Sequence, residues 1–245
     1  MTERSVWIGF DPREAAAFAV ARHSIRSHQA VRFTPTTGLV LANLRTAGLY
    51  TRPTSRRGNQ LWDDISDAPM ATEFACSRFL VPHLARADQP RGKKPRWAVF
   101  MDCDMLIRTD LQNLFNACQW DKAVMVVKHD HRPENSVKMD GQMQTLYRRK
   151  NWSSVCAFNI DHPKNAALTP EYVNAVPGRT LHSFDWLDDH EIGELDPGWN
   201  HLVGHSEPNP DPHIVHFTDG IPSMPGYENC EFADEWRRAL ERWAA

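Results

Sequence analysis

Apolar residues fall into short unbroken runs, separated by stretches with helical spacing. Ser5–Phe10 (SVWIGF), Trp97–Met101 (WAVFM) and Ala123–Val127 (AVMVV) have the pattern of strands covered on both faces of a sheet. Val31–Phe33, Leu39–Leu41, Met105–Ile107 and Val155–Ile160 read as further short strands, and Pro212–Phe217 surrounds another. Asp11-Pro12 combines a good cap with a good first helical residue, and the spacing of Ala15, Phe18, Ala19, Arg22 and Ile25 predicts a helix over Ala15–Arg26. Phe74, Phe79, Leu80 and Leu84 predict a second helix over Thr72–Leu84, shortened or kinked by Pro82. Asp110 is placed to cap a short helix over Leu111–Ala117. Asp161–Ala175 reads as helix interrupted by Pro163 and Pro170, and Cys230–Ala244 as a helix carrying Trp236, Leu240 and Trp243. The polar stretch Thr51–Asn59, with Arg52, Arg56 and Arg57, reads as a mobile loop, and Asp88–Pro95 as a surface loop. Strands alternating with helices imply a layered α/β fold.

With 245 residues, the chain is long enough for one substantial core and too short for two comfortable domains. Nine Trp are a surplus, and the cost of burying an indole N–H without a partner sends some of them to a groove or pocket. A net charge of −3 argues against binding nucleic acid through bulk electrostatics. The five Cys are scattered and form no C-x-x-C pair, so neither a disulfide framework nor a zinc ribbon is indicated. Reduced thiols, an N-terminus without an apolar signal region and a longest apolar stretch of only Ala15–Ala21 lead us to expect a cytoplasmic protein. There is no G-x-S-x-G elbow, no G-x-x-x-x-G-K loop and no G-x-G-x-x-G.

The candidate chemistry lies at the end of the WAVFM run, in Asp102-Cys103-Asp104. Residues two apart in a strand point to one side, so both carboxylates can aim at one point. Held that close they repel unless a cation sits between them, and oxygen ligands suit Mg²⁺ or Mn²⁺. The triplet alone is weak: nineteen Asp in this chain yield about 1.5 such triplets by chance. Its context gives it weight, because functional sites of open α/β sheets lie at the carboxyl ends of strands. The competing reading is a turn, with Asp104 solvated and Asp102 capping a backbone N–H.

Four blocks, in order, resemble glycosyltransferase family 8, the GT-A-fold retaining enzymes. They are Val6–Asp11 followed by a helix, Phe74–Leu84 (FACSRFLVPHL), Trp97–Phe115 (WAVFMDCDMLIRTDLQNLF) and His213–Gly220 (HIVHFTDG). Gly198-Trp199-Asn200 is similar to the family's W-N just upstream of the late His. The resemblance implies a single GT-A-like domain with a central mixed, mostly parallel sheet, a nucleotide-binding half over 1–120 and an acceptor half over 121–245. It implies transfer of a sugar from a UDP-sugar donor, with retention, to an acceptor that is a saccharide, protein, lipid or modified nucleic acid. Asp102, Asp104 and His216 would hold Mn²⁺ or Mg²⁺. Phe10, Asp11, Arg78, Asp102, Cys103 and Asp104 would lie against the nucleotide sugar. Asp185 or Asp188 would stand for the family's acidic residue near the reacting carbon, or no residue would act as a nucleophile.

Two family marks are absent. No Lys follows His216, so a phosphate-binding cation must come from elsewhere, as from Arg148, Arg149 or Lys150; and Ser153-Ser154 stands near the place of an Asn-x-Gly. The alternatives are a nucleotidyltransferase, which would also use paired carboxylates, and a non-catalytic nucleotide-sugar-binding protein of the same fold. His129 and His131 invite a metal reading, which we set below that of a solvated loop bordering the acceptor site. The cluster Tyr147–Lys150 reads either as wet surface or as a cover over a diphosphate.

Overall fold

A computed structural model describes residues 4–29, 36–88, 96–130, 137–138, 142–143 and 149–245. Its strands are, in chain order, β1 (Arg4–Phe10), β2 (Thr36–Val40), β3 (Thr54–Arg57), β4 (Gln60–Asp63), β5 (Ala68–Met70), β6 (Trp97–Met101) and β7 (Met105–Ile107). Then come β8 (Val124–Val126), β9 (Val137–Lys138), β10 (Gln142–Met143), β11 (Val155–Asn159), β12 (Ile192–Glu194), β13 (His201–Leu202) and β14 (Ile214–His216). The α-helices are α1 (Ala15–His28), α2 (Leu41–Thr46), α3 (Val81–Asp88), α4 (Gln112–Ala117), α5 (Pro170–Ala175), α6 (Gly178–His182) and α7 (Ala233–Ala244).

The central sheet runs β12-β8-β11-β6-β1-β2. Its pairings are parallel except on either side of β11, which is antiparallel to both β6 and β8. β6, β8 and β11 are buried at every position, as expected where both faces are covered. A second sheet, β13-β14-β7, pairs His216 with Met105 across β14 and β7. The chain leaves the central sheet at Met101 and enters this second sheet at Met105. The intervening Asp102-Cys103-Asp104 therefore forms the corner between two fixed ladders.

Several expectations are corrected. Thr51–Asn59 is no mobile loop: β3 and β4 form a hairpin extended by β5, with Arg52 wholly buried beside it. Leu41 opens α2 and does not close a strand. Helical structure after Thr72 begins only at Ser77, as a 3₁₀ turn, and Pro82 lies in the first turn of α3, where its missing N–H costs nothing. Asp161–Ala175 splits at its prolines into a 3₁₀ segment (Pro163–Ala167) and α5, which Thr169 caps. The last helix starts at Ala233, because Phe232 takes a left-handed backbone that no continuous helix allows. The strand expected at Val31–Phe33, the loop over 89–95 and the residues His131, Arg132, Tyr147 and Arg148 lie outside the described residues. Among those described, no helix is long and apolar enough to cross a membrane.

Candidate active site

The site is built at the Asp102–Asp104 corner. The Asp102 amide donates to the Ser154 carbonyl (3.0 Å), extending the β6–β11 ladder by one residue before the chain bends. The Phe217 amide donates to the Asp104 carbonyl (2.9 Å) and holds the end of β14 against the corner. Asp102, Asp104 and His216 each bring a ligand atom to within 4.8 Å of the others. The two carboxylates thus converge through a bend, and not through the side-chain alternation of a straight strand.

Like charges this close need compensation. Arg78, buried on the 3₁₀ turn before α3, places Nη1 2.7 Å from Asp102 Oδ1. It also donates to the Ser153 and Ala75 carbonyls, and its guanidinium lies over the Phe100 ring, 4.8 Å from the centroid. His216 Nε2 lies 3.3 Å from Asp104 Oδ1. The donor set of two carboxylate oxygens and one imidazole nitrogen suits Mg²⁺ or Mn²⁺.

Beside the corner lies a cavity of about 260 Å³. Asp102, Asp104 and Arg78 line one end, and Ser153 and Ser154 line it from β11's approach. The hairpin supplies Asp63 and Ser66, and α6 supplies Gly178, Arg179 and His182. Ser66 Oγ accepts from the Gly178 amide (2.7 Å), locking these two walls together. His182 is buried, with Nδ1 2.8 Å from Ser153 Oγ. Burial, reinforced by the positive charges of Arg78, Lys150 and Arg52, holds its pKa well below the ordinary histidine value.

Of the other residues expected at the site, Lys150 is buried on the cavity wall, where the surface-cluster reading does not put it. Arg149 turns away and binds the Ser183 carbonyl and Asp189. Asp11 is wholly buried, but both its oxygens serve the fold: they accept from Arg13 and from the Glu73 amide (3.0 Å), fixing the segment that enters the cavity wall. Phe10 packs edge-on against Phe18, 5.1 Å between centroids. The Cys103 thiol is buried and donates to Glu14 Oε2 (2.8 Å). None of the side chains of Phe10, Asp11 and Cys103 lines the cavity. Asp185 and Asp188 are exposed and also absent from its walls, because Phe184 and Leu187 take the inward positions. Asp188 instead caps a 3₁₀ turn reciprocally with Glu191 and lies 3.5 Å from Lys164.

The sequence analysis gives no site role to Glu14 or to the Arg52–Asp63 pair behind the cavity wall, and places Asn200 only within the W-N resemblance. Glu14 is buried beneath the corner, and burial together with the Asp104 charge pushes its pKa up to about 8. Its spacing from the cap, Asp11-x-x-Glu14, was a visible signal of a defined position in the first turn. Asn200 accepts from His216 Nδ1, a role that adjacency to Trp199 in sequence does not disclose.

The arrangement of this sheet and corner is that of the GT-A glycosyltransferase fold. The bifunctional glycosyltransferase WbbM superposes with a TM-score of 0.58 at 16% identity, over 96% of this chain and 49% of that one. GlyE of Streptococcus pneumoniae TIGR4 gives 0.57 at 11%, over 98% of this chain and 62% of that one, so the chain spans about half to two thirds of these two structures. LgtC, a galactosyltransferase solved in complex with donor and acceptor sugar analogues, gives 0.53 at 14%, covering 97% of this chain and 95% of its own. No protein-family model matches the chain. In sequence it is 42% identical to Protein CDI of Arabidopsis thaliana along an alignment of 245 positions, covering 97% of this chain and 86% of that protein, and it belongs to that family.

Proposed function

We propose that the protein is a divalent-metal-dependent glycosyltransferase that takes a sugar from a UDP-sugar. The observation that carries this reading is the convergence of Asp102, Asp104 and His216 at the carboxyl end of a buried central strand, beside a cavity lined by both charged and apolar side chains. LgtC, of the same fold, binds donor and acceptor sugar analogues, which supports the same use of the cavity here. Asp102, Asp104 and His216 would hold Mn²⁺ or Mg²⁺, which when bound supplies positive charge against the diphosphate leaving group.

The chain's own residues do the rest. Arg78 orients Asp102 and adds a fixed cation at that end of the cavity. Lys150, on the wall, is the candidate for the phosphate-binding cation that the sequence after His216 lacks. Such preset charge stabilises negative charge as it develops on the departing diphosphate. Nucleotide binding by 1–120 and acceptor binding by 121–245 is part of the same proposal, with cavity residues drawn from both halves. We also propose that the reaction is retaining. Asp185 and Asp188 enter as nucleophiles only if their segment turns inward, so we favour a reaction without either.

The test is hydrolysis of a panel of UDP-sugars with Mn²⁺, with and without chelator, in the wild type, Asp102→Asn and Asp104→Asn. Turnover that needs metal and falls at least about 100-fold in both variants supports the proposal, since a metal clamp contributes several kcal/mol to transition-state stabilisation. UDP-sugar binding without turnover favours the binding protein, and pyrophosphate release from a nucleoside triphosphate favours the nucleotidyltransferase.

A further inference from the structure

We infer that Asn200 is a positioning residue that fixes His216 in the tautomer protonated at Nδ1, so that Nε2 presents its lone pair beside Asp104. For its bearing on metal binding, this rests on the metal reading above. A chain of forced hydrogen-bond assignments leads to it. The Ser154 hydroxyl donates to the Asn151 carbonyl (2.6 Å). The Asn200 side-chain amide donates to that same carbonyl (3.3 Å) and to Ser154 Oγ (2.9 Å). A carbonyl only accepts, so this end of Asn200 must be the NH₂ group. The other end, Oδ1, faces His216 Nδ1 at 2.9 Å, and an amide oxygen only accepts, so Nδ1 carries the proton.

Asn200 is fully buried and His216 nearly so, so no solvent reorganises the pair. In the neutral ring the lone pair is then on Nε2, 3.3 Å from Asp104 Oδ1. Two electron-rich atoms facing each other at that distance repel unless a cation or a proton lies between them. The corner also converges on Ser154, whose carbonyl takes the Asp102 amide while its hydroxyl takes the Asn200 amide. One residue thus holds the first carboxylate and, through Asn200, the imidazole. Hydrogen-bonding partners of this kind change metal affinity by about 10- to 100-fold when removed.

The experiment reads the ring directly. Long-range ¹H–¹⁵N NMR on the metal-free wild type at pH 8, with the His216 signals assigned by their loss in His216→Gln, is expected to show Nδ1 protonated and Nε2 bare. A wild-type ring protonated at Nε2 overturns the inference, and this reading needs neither a folded variant nor metal binding. Asn200→Ala is expected to mix the tautomers and weaken Mn²⁺ binding, followed by electron paramagnetic resonance, by about 10- to 100-fold. Asn200→Asp, which keeps an acceptor for Nδ1–H, is expected to restore the tautomer even if its Tm is lower. An Asn200→Ala protein that keeps a pure Nδ1–H ring and binds Mn²⁺ within twofold of wild type shows the contact to be merely structural. If the wild type binds no Mn²⁺, the metal reading fails, while the tautomer measurement still decides the role of Asn200.

Discussion

Replacing Arg52 by Met tests the least expected part of the architecture. The Arg52 side chain is 0% exposed and that of Asp63 3%, and they meet through two parallel contacts, Nε to Oδ1 at 2.7 Å and Nη2 to Oδ2 at 2.6 Å. Arg52 Nη1 also donates to the Val173 and Val176 carbonyls (2.9 and 2.7 Å), which belong to the otherwise unsatisfied C-terminal turn of α5. Methionine fills much of the volume but leaves Asp63 charged and buried with only Ser66 as a donor. Breaking one partner of a buried pair costs about 3–5 kcal/mol. For a domain of this size each kcal/mol moves Tm by about 2–4 °C, so heat unfolding followed by circular dichroism should fall by roughly 6–20 °C. Arg52→Met/Asp63→Leu should recover at least half of that loss, because a buried ion pair and an apolar pair of similar shape are nearly equivalent. A fall under about 3 °C in the single variant, or no recovery in the double, refutes the argument that this pair anchors the hairpin to α5.

Three further outcomes follow from the packing. Gly9 lies so close to Phe74 that an added Cβ would meet its ring at 2.5 Å, so Gly9→Ala should lower Tm by about 2–12 °C, with partial relief in Gly9→Ala/Phe74→Leu. Gly220→Ala faces the Tyr227 ring at 2.5 Å and should destabilise less, because Tyr227 is only part-buried and can yield; equal losses at Gly9 and Gly220 would contradict this. His182 has a folded-state pKa below its unfolded value of about 6.5, so its contribution to stability is complete above that pH and lost as pH falls below it. Denaturant titrations between pH 6.5 and 4.5 should therefore lose up to about 1.4 kcal/mol more per pH unit in the wild type than in His182→Gln, and equal slopes would show that the ring is not held neutral.

The sequence disclosed the parts of this structure that are written locally. WAVFM, AVMVV and SVWIGF are buried strands because a run apolar on both faces has no other stable place, and the two aspartates at the end of the first run mark the corner. What stayed hidden depends on partners far along the chain. Arg52 is one of three arginines in a polar stretch, and its burial follows from carbonyls 121 and 124 residues away. Nothing within ten residues of it distinguishes a solvated loop from a buried anchor behind a cavity wall. Asn200 likewise meets Ser154, 46 residues away, across two sheets. Asp185 and Asp188 show the converse: they stand near the acidic position that the resemblance implies, while the phase of Phe184 and Leu187 turns both carboxylates outward. Apolar residues next to a candidate are therefore a better guide to where it points than the candidate's own chemistry. By that rule Asp102, Asp104 and His216 have fixed directions, since each lies between buried neighbours. The same rule makes the site rigid: the corner can shift only if one of the two ladders that flank it opens, so Mn²⁺ affinity by electron paramagnetic resonance and Tm should fall together in substitutions at Leu106 and Val215.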